Sequence, residues 1–373
     1  MVRLSSKYLA FMLMLMPVAL SAQKVHLGTA TVNDGGKYTG ELTGSKPNGK
    51  GVTVWSDGQR YEGDYVNGKR QGHGIYTFPD GENYNGQWFQ DMQHGQGTYT
   101  YSNGNKYVGL WFKNHQQGHG VMYYYNGDKY DGNWEADKRS GDGRYTFAGG
   151  AYYDGFWQDD KKNGQGHFVW GDGSSYSGMW KDNQREGKGT YIYSNGDEYT
   201  GDWHQDLPNG RGKYTFANGD VYEGDYLDGK KTGQGIFRYH DGSHYQGHFL
   251  DGERSGYGTM VWSNGDIYSG TWEKDKQEGQ GKLTKKDGDI FEGQFRRGIV
   301  NGLVIIHYAD GSKFRGSYNN GKRNGDAIEM TPDGKRFEGV YRDDVRDGKF
   351  VERDRNGNIT ARGYYDNGRR HEN

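Results

Sequence analysis

The sequence predicts an all-β protein, an elongated, twisted, single-layer antiparallel array of β-hairpins. Two observations lead to this fold class. An aromatic residue followed two positions later by glycine recurs fourteen times at intervals of 23 residues, from Tyr38 and Gly40 to Phe337 and Gly339. Most of the 66 glycines also keep a fixed place in this period, which indicates a backbone requirement and not a flexible chain. A constant period of this length is typical of repeat arrays, in which each unit packs only on its neighbours.

The N-terminal segment, residues 1–22, has a different composition from the repeats. Arg3 and Lys7 precede an apolar run from Tyr8 to Leu20, and the small residues Ser21 and Ala22 follow. This order is typical of a secretory signal peptide cut after Ala22. An N-terminal membrane anchor is the alternative, although the apolar run is short for a span of about 20 residues. The sequence therefore predicts export to the periplasm, to the outer membrane or to the medium.

Composition limits the classes of function. Hydrophobic residues make up only 31% of the 373 residues, but aromatic residues make up 15% and supply large buried areas. The chain has no cysteine, so its stability does not come from disulfides. The formal net charge is −2, and acidic and basic residues alternate without a basic block. Nucleic acid is therefore not an expected partner.

Each repeat predicts two strands and a tight turn. In the unit from Gly74 to Gln96, Tyr76 and Phe78 alternate with other residues, as do Tyr84, Gly86 and Trp88. Alternation with a period of two indicates strands with two different faces. The pair Asp80-Gly81 lies between them, and Asx-Gly between alternating runs is a strong hairpin signal.

The positions of two prolines indicate the type of this turn. Pro79 and Pro332 stand directly before Asx-Gly, a position that a two-residue turn would pair and for which proline has no N–H. A three-residue loop places proline second in a type I turn and glycine at the left-handed bulge. The sequence thus predicts Phe78 opposite Glu82 and Tyr76 opposite Tyr84, with the aromatic residues on one face.

Two further features of the repeat lead to structural expectations. Gly86 lies between Tyr84 and Trp88 on the aromatic face, which predicts that a ring from an adjacent strand covers the glycine. The second connection, from Asp91 to Gly97, is polar and contains two glycines. It is predicted to be a longer loop.

The unit Tyr-Glu-Gly-Asp-Tyr-x-x-Gly-Lys-x-x-Gly-x-Gly, at Tyr61 to Gly74 and again at Tyr222 to Gly235, resembles the MORN repeat. The resemblance covers about residues 28–349. It implies an extended hairpin array that serves in scaffolding, membrane association or partner binding. Some MORN repeats accompany catalytic domains, but the repeats themselves imply no enzyme activity. The predicted order is a signal peptide (1–22), a half repeat (23–37), tandem MORN-like repeats (38–349) and a degenerate C-terminal repeat or cap (350–373).

The last repeats depart from the pattern. Tyrosine becomes phenylalanine at 291, 314 and 337, and the next unit slips by one residue at Ala361. Two interpretations remain open: a cap that prevents edge-to-edge association, or a docking end that forms a homodimer. The predicted docking edge is apolar and consists of Leu303, Val304, Ile305 and Ile306.

One column of large aromatic residues follows each repeat's glycine and is the predicted binding face. Its rings pack on one another in a sheet without a core, or they line a groove for a peptide, a lipid or a sugar. The candidate residues are Trp88, Trp111, Trp134, Trp157, Trp180, Trp203, Tyr226 and Trp272.

No arrangement of residues indicates catalysis, a metal or a cofactor. His244 and His248 would lie about 13 Å apart on a strand, too far for one ion. The sequence predicts a non-catalytic scaffold or binding protein of the cell envelope that holds a protein partner or a membrane-associated complex. A module that binds glycan, peptidoglycan or lipid is the alternative.

Overall fold

The computed structural model describes residues 24–372, and all its regular elements are β-strands. The predicted signal peptide lies outside the described residues. The chain divides into two compact units, one ending at Lys138 and the other beginning at Arg139. The 23-residue period gives no sign of this division, because it continues unchanged through residue 138.

In the first unit, strands that follow one another in the chain pair antiparallel. These strands are β1 Val25–Thr31, β2 Lys37–Thr43, β3 Lys46–Val54, β4 Arg60–Val66, β5 Lys69–Thr77, β6 Asn83–Phe89, β7 Met92–Thr100, β8 Lys106–Phe112, β9 His115–Tyr123 and β10 Lys129–Glu135.

The second unit repeats the same pairing from strand to strand. Its strands are β11 Lys138–Thr146, β12 Tyr152–Gln158, β13 Lys161–Val169, β14 Ser175–Lys181, β15 Gln184–Ile192, β16 Glu198–His204, β17 Leu207–Thr215, β18 Val221–Leu227, β19 Lys230–Arg238, β20 His244–Leu250, β21 Glu253–Val261, β22 Ile267–Glu273, β23 Lys276–Thr284, β24 Ile290–Arg296, β25 Ile299–His307, β26 Lys313–Asn319, β27 Lys322–Met330, β28 Arg336–Arg342, β29 Val345–Arg353, β30 Ile359–Asp366 and β31 Arg369–Glu372.

The predicted three-residue loop is confirmed. The Phe78 amide donates to the Glu82 carbonyl (2.9 Å), and the Gly81 amide donates to the Phe78 carbonyl (3.1 Å). Gly81 has a φ of +90°, which is the left-handed bulge position. Tyr76 pairs with Tyr84, as the proline argument requires.

The predicted long second loop is wrong. β6 ends at Phe89 and β7 begins at Met92, so only Gln90 and Asp91 form the turn. Their φ values of +50° and +68° are those of a type I′ turn, whose twist suits a β-hairpin. The two glycines lie inside β7. Gly95, with a φ of +65°, belongs to a bulge that shifts the register between Gly86 and Trp88.

The second glycine of β7 is explained by the packing of a tyrosine. Gly97 pairs with Gly86, and a Cβ on Gly97 would lie 2.4 Å from the Tyr84 ring. The ring covers Gly86 of its own strand as well as Gly97 of the next one. The prediction that a ring from an adjacent strand covers Gly86 is therefore wrong, because the covering ring belongs to the same strand. The Tyr84 hydroxyl donates to the Gln87 carbonyl (2.8 Å). This ring-on-glycine packing leaves Tyr84 fully buried in a single-layer sheet.

The C-terminal repeats of the second unit change this packing at the second glycine of the pair. The second glycine of the pair becomes Val304, Ala327 and Phe350, which pair with Gly293, Gly316 and Gly339. In two of these repeats a phenylalanine ring still covers the first glycine, since Phe314 and Phe337 lie 2.7 Å and 2.4 Å from the Cβ positions of Gly316 and Gly339. The three new side chains belong to one apolar cluster with Ile306, Phe314, Phe337, Tyr341 and Tyr365.

The one-residue slip near Ala361 is absorbed locally. Glu352 pairs with Ala361 and Arg353 with Ile359, so Thr360 is the extra residue of a bulge. The Gly357 amide still donates to the Asp354 carbonyl (3.0 Å), which keeps the three-residue loop. β30 and β31 therefore continue the hairpin pattern through the predicted cap.

Candidate functional site

The predicted Trp column lies in the interior of its units. Its eight rings are between 3% and 7% exposed. Trp88 is typical: its ring meets Tyr61 and Tyr84 edge to face, with both centroids at 5.3 Å. Its indole Nε1 donates to the Gly74 carbonyl (3.1 Å). These contacts explain why indoles are tolerated in the core, because the N–H has a partner.

A cation from the preceding repeat covers several of these rings. The Arg185 guanidinium lies 4.3 Å from the Trp203 ring centroid. Its Nε contacts Asp206 Oδ1 (3.1 Å) and its Nη2 donates to the Asp206 carbonyl (2.7 Å). The turn residue Asp206 thus holds the cation over the ring. This cation clamp occurs with the same spacing at Arg70, Arg139, Arg254 and Arg323.

Lys162 occupies the clamp position with a different turn residue. Its Nζ lies 4.2 Å from the Trp180 ring centroid. The turn residue is Asn183, whose Oδ1 accepts the Lys162 backbone N–H (2.8 Å). Burial lowers the pKa of the Lys162 amine to about 8. The clamp therefore retains its cation–ring contact where the turn aspartate is replaced.

Because cations and tyrosine rings pack against the Trp column, the predicted binding face offers little ring surface to a ligand. Within the second unit the Trp203 ring lies under the Arg185 guanidinium and makes edge-to-face contacts with Tyr176 and Tyr199. Binding by the eight rings stays a prediction, and a more accessible set of rings becomes the stronger candidate.

A second row of rings lies on the same face, next to the Asx-Gly turns, and we call it the aromatic ladder. Its members touch in an unbroken zigzag, with centroid distances from 4.4 Å between Phe168 and Trp170 to 5.9 Å between Phe147 and Phe168. The ladder of the second unit consists of Tyr145, Phe147, Phe168, Trp170, Tyr191, Tyr193, Tyr214, Phe216, Phe237 and Tyr239.

The ladder rings are more accessible than the Trp column. Phe147 is 37% exposed, and nearly all the other members are partly exposed. The outer members Trp170, Tyr193, Phe216 and Tyr239 lie immediately before the turns, one in each repeat. Sequence reasoning missed the ladder because its continuity depends on contacts between rings of successive repeats, such as Phe147 with Phe168, which only the pairing of strands reveals. The alternation of Tyr76 with Phe78 is the signal that could have revealed it.

Hydrogen bonds between repeats hold the ladder in place. The Tyr214 hydroxyl donates to Asp197 Oδ2 (2.7 Å), and Asp197 Oδ1 accepts the Ala217 amide (2.8 Å). These bonds lower the pKa of the Asp197 carboxyl, the amide contributing most. The Tyr191 hydroxyl makes the same kind of contact with Ser174 Oγ (3.1 Å). Asp197 and Ser174, each the residue after an Asx-Gly pair, thus link two repeats.

The turn edge of the ladder is acidic. The four turns at 170–174, 193–197, 216–220 and 239–243 contain no lysine or arginine. Their carboxylates are Asp172, Asp197, Asp220 and Asp241. Asp172 and Asp241 are exposed, while Asp220 accepts from the His240 amide (2.8 Å). The opposite side of the ladder carries the clamp cations, of which Arg185 and Arg254 are paired with aspartates.

The predicted docking edge is not an edge. β25, which contains Leu303 to Ile306, pairs with β24 on one side and β26 on the other, so its backbone is not free to add a strand. Val304 and Ile306 are fully buried, whereas Leu303 and Ile305 are 50% and 39% exposed on the opposite face. Homodimer formation through the C-terminal end stays a prediction.

Among residues 24–372, no three His, Asp or Glu side chains come together in a way that would suit a metal ion. No helix in the described part of the chain has the length and apolar character to span a membrane.

The MORN repeat family model matches the chain over residues 38–60, 61–82, 84–106, 107–129, 130–152, 153–175, 176–198, 199–221, 222–244, 245–267, 268–290 and 314–336. Together these matches cover well over half of the chain. The protein belongs to the MORN repeat family. The units that begin at Phe291 and Phe337 are not matched, and in both the second glycine is replaced, by Val304 and Phe350.

Comparisons with individual proteins are less informative than the family match. No curated protein matches the MORN repeat protein. Among solved structures, a point mutant of the TCP10 domain of Danio rerio CPAP is similar at 14% identity and a TM-score of 0.30, covering 59% of this chain and 98% of that one. The G-box domain of the microcephaly protein CPAP is similar at 16% identity and a TM-score of 0.31, covering 54% and 99%. Likenesses at this level leave the function open.

Proposed function

We propose that this MORN repeat protein is a non-catalytic scaffold that holds a protein partner on its aromatic face. The observation that carries the proposal is the aromatic ladder, a continuous, partly exposed row of rings fixed by hydrogen bonds between repeats. Rigid aromatic side chains supply contact area at a small entropy cost, and for this reason they are enriched at protein interfaces.

Pull-down experiments test the proposal. Protein that lacks residues 1–22 is immobilised and exposed in parallel to detergent-solubilised envelope proteins and to purified cell wall. We expect saturable retention of a defined envelope protein, at least five-fold weaker on the ladder variant Tyr193→Ala/Phe216→Ala when circular dichroism shows that the variant is folded. Retention on neither material would contradict the proposal.

A glycan- or lipid-binding module is the second candidate, because the same partly exposed rings can stack on sugar rings or contact acyl chains. The pull-down separates the candidates. Retention on purified cell wall, with no envelope protein captured, favours glycan. Co-sedimentation with vesicles of phosphatidylethanolamine and phosphatidylglycerol favours lipid.

We also propose that the protein works outside the cytoplasm, in the cell envelope. The support is the charged and apolar pattern of residues 1–22. Cell fractionation of the full chain and of a chain without these residues tests it. We expect the full chain to be exported and the chain without residues 1–22 to stay in the cytoplasm. Equal distribution of both forms would contradict the proposed location.

A further inference from the structure

We propose that the aromatic ladder of the second unit binds a polyproline II segment with an arginine or lysine at every third position. This inference rests on the proposed function as a protein-binding scaffold and names the chemistry of the partner. Spacing, surface and charge support it independently.

The spacing of the rings matches a polyproline II helix. Antiparallel strands lie about 4.8 Å apart, so the outer rings, one every two strands, repeat at about 9.6 Å. A polyproline II helix has three residues per turn and rises about 3.1 Å per residue, or about 9.3 Å per turn. One turn of the polyproline II helix therefore meets one outer ring. The helix pitch and the ring spacing stay matched along Trp170, Tyr193, Phe216 and Tyr239. A β-strand, whose side chains share a face every 6.6 Å or so, falls out of step after one ring.

The surface of the ladder suits proline rings. Neighbouring outer and inner rings are tilted to one another, by 41° between Trp170 and Tyr191 and by 41° between Tyr193 and Tyr214. Tilted rings leave shallow clefts between them. Polyproline II helices dock in aromatic-lined grooves of this kind, because neither the helix nor the fixed rings lose much entropy on binding.

Charge indicates which residue type occupies the third position in each turn of the bound polyproline II helix. The turn edge carries four carboxylates and no lysine or arginine, with Asp172 and Asp241 exposed at its ends. On the other side of the ladder, the Arg185 and Arg254 guanidiniums are already engaged by Asp206 and Asp275. The Lys162 and Lys231 amines lie on that side over the ladder rings Phe168 and Phe237, at 4.7 Å and 4.9 Å from the ring centroids. A helix lying on the ladder thus meets an acidic row at the turn edge, where the one basic side chain of the four turns is His240, in contact with Asp220 (2.9 Å). A basic residue at every third position is the complement of that row.

The experiment measures binding of fluorescent 12-residue peptides to the mature protein by anisotropy at about 0.1 M salt. The peptide (Pro-Pro-Arg)4 is compared with (Pro-Pro-Glu)4, which keeps the helix and reverses the charge, and with (Gly-Ser-Arg)4, which keeps the charge and loses the helix. We expect (Pro-Pro-Arg)4 to bind at least ten-fold more tightly than either control. Equal binding of the two arginine peptides would overturn the inference, since charge alone would explain it.

A pair of protein variants locates the site. Asp172→Lys/Asp241→Lys reverses the ends of the acidic row and should weaken (Pro-Pro-Arg)4 binding at least five-fold. The matched control is Asp287→Lys, in a turn of the same kind where Lys285 replaces the outer ring. It should leave binding within two-fold of the unchanged protein. An equal loss in both variants would overturn the inference. The peptide comparison does not depend on these variants, so it decides the question if they fail to fold.

Failure of this inference and failure of the proposed function give different results. If an envelope protein is captured equally by the unchanged protein and by the Asp172→Lys/Asp241→Lys variant, and (Pro-Pro-Arg)4 does not bind, the scaffold function stands and this inference falls. Tighter binding of chitohexaose than of (Pro-Pro-Arg)4 would also overturn it, in favour of a glycan. If the protein captures nothing in the pull-down and binds none of the peptides, both the scaffold function and this inference are contradicted.

Discussion

At the scale of single residues, the repeat depends on a tyrosine ring packed directly on two glycines. The ring of Tyr84 lies where the Cβ of Gly86 or Gly97 would be, so neither glycine is replaceable without moving the ring. The requirement is steric and not conformational at Gly97, whose φ is not positive. This packing explains how a protein with 31% hydrophobic residues keeps the tyrosines of this column fully buried.

Gly97→Ala tests this packing. The new methyl group would contact the buried Tyr84 ring at 2.4 Å, and we expect a loss of about 1–3 kcal/mol in the free energy of unfolding, as for other overpacked sites. Gly149→Ala is the matched control, because nothing lies within 4 Å of its Cβ position. Urea denaturation measures both. Equal midpoints for the two variants would contradict the ring-on-glycine account.

At the scale of the hairpin, the cation clamp joins consecutive repeats. Residue i supplies the cation, residue i+18 the ring and residue i+21 the turn carboxylate, as in Arg185, Trp203 and Asp206. These positions span two repeats, so the clamp is not visible within one 23-residue unit. Its carboxylate accepts hydrogen bonds from both the side chain and the backbone N–H of the same arginine.

Asp206→Asn tests the contribution of the charge. Asparagine tolerates the positive φ of this turn position and still accepts the Arg185 backbone N–H, as Asn183 does for Lys162. We expect the free energy of unfolding to fall by about 1 kcal/mol, because the guanidinium loses its ionised acceptor and keeps a weaker hydrogen bond to a neutral amide oxygen. The control is Asp251→Asn, which removes an exposed ion pair with Lys230 and should change stability by less than about 0.5 kcal/mol. Thermal unfolding of both variants decides the matter, and equal losses would contradict the clamp.

The hairpin turns show where local sequence is informative. Pro79 before Asp80-Gly81 led to the correct three-residue loop, because the missing proline N–H and the glycine φ are local constraints. The second turn was missed because Gly95 and Gly97 resemble a loop in sequence. Gly95 forms a β-bulge, and Gly97 leaves room for the ring of a tyrosine on the adjacent strand. Neither requirement is visible in the sequence before the strands are paired.

At the scale of the whole molecule, buried tyrosines make the fold sensitive to alkali. Burial raises the pKa of Tyr245 and of Tyr268 to about 12, and other core tyrosines shift in the same direction. A tyrosine whose pKa is raised in the folded state contributes stability that is complete below its unfolded pKa of about 10. That contribution is lost as the pH rises through the folded value.

We therefore expect unfolding to begin above about pH 10 and to be steep, because many tyrosines ionise together. Absorbance at 295 nm and circular dichroism, followed on one sample, should change together. The repeats that carry Phe291, Phe314 and Phe337 lack this group and should keep their amide protection to higher pH in hydrogen exchange. Loss of β structure that begins below about pH 9 would contradict the prediction.

The membership of the repeat family and the hairpin architecture were available from sequence, because the period, the Asx-Gly pairs and the alternation are all local patterns. The sequence did not show how accessible each aromatic column is to solvent. Trp203 and Tyr193 both belong to aromatic columns of the repeat, yet Arg185 and Asp206 cover the first, while the second remains partly exposed.

The difference arises from contacts across strands and between repeats. The Trp column is closed by a cation from the preceding repeat and by tyrosines folded onto glycines of the next strand. Most ladder rings stay partly exposed beside the turns, although clamp cations such as Lys162 and Lys231 contact the rings of Phe168 and Phe237. Linear pattern determines which residues share a face. Pairing in three dimensions decides which of them are left for a partner.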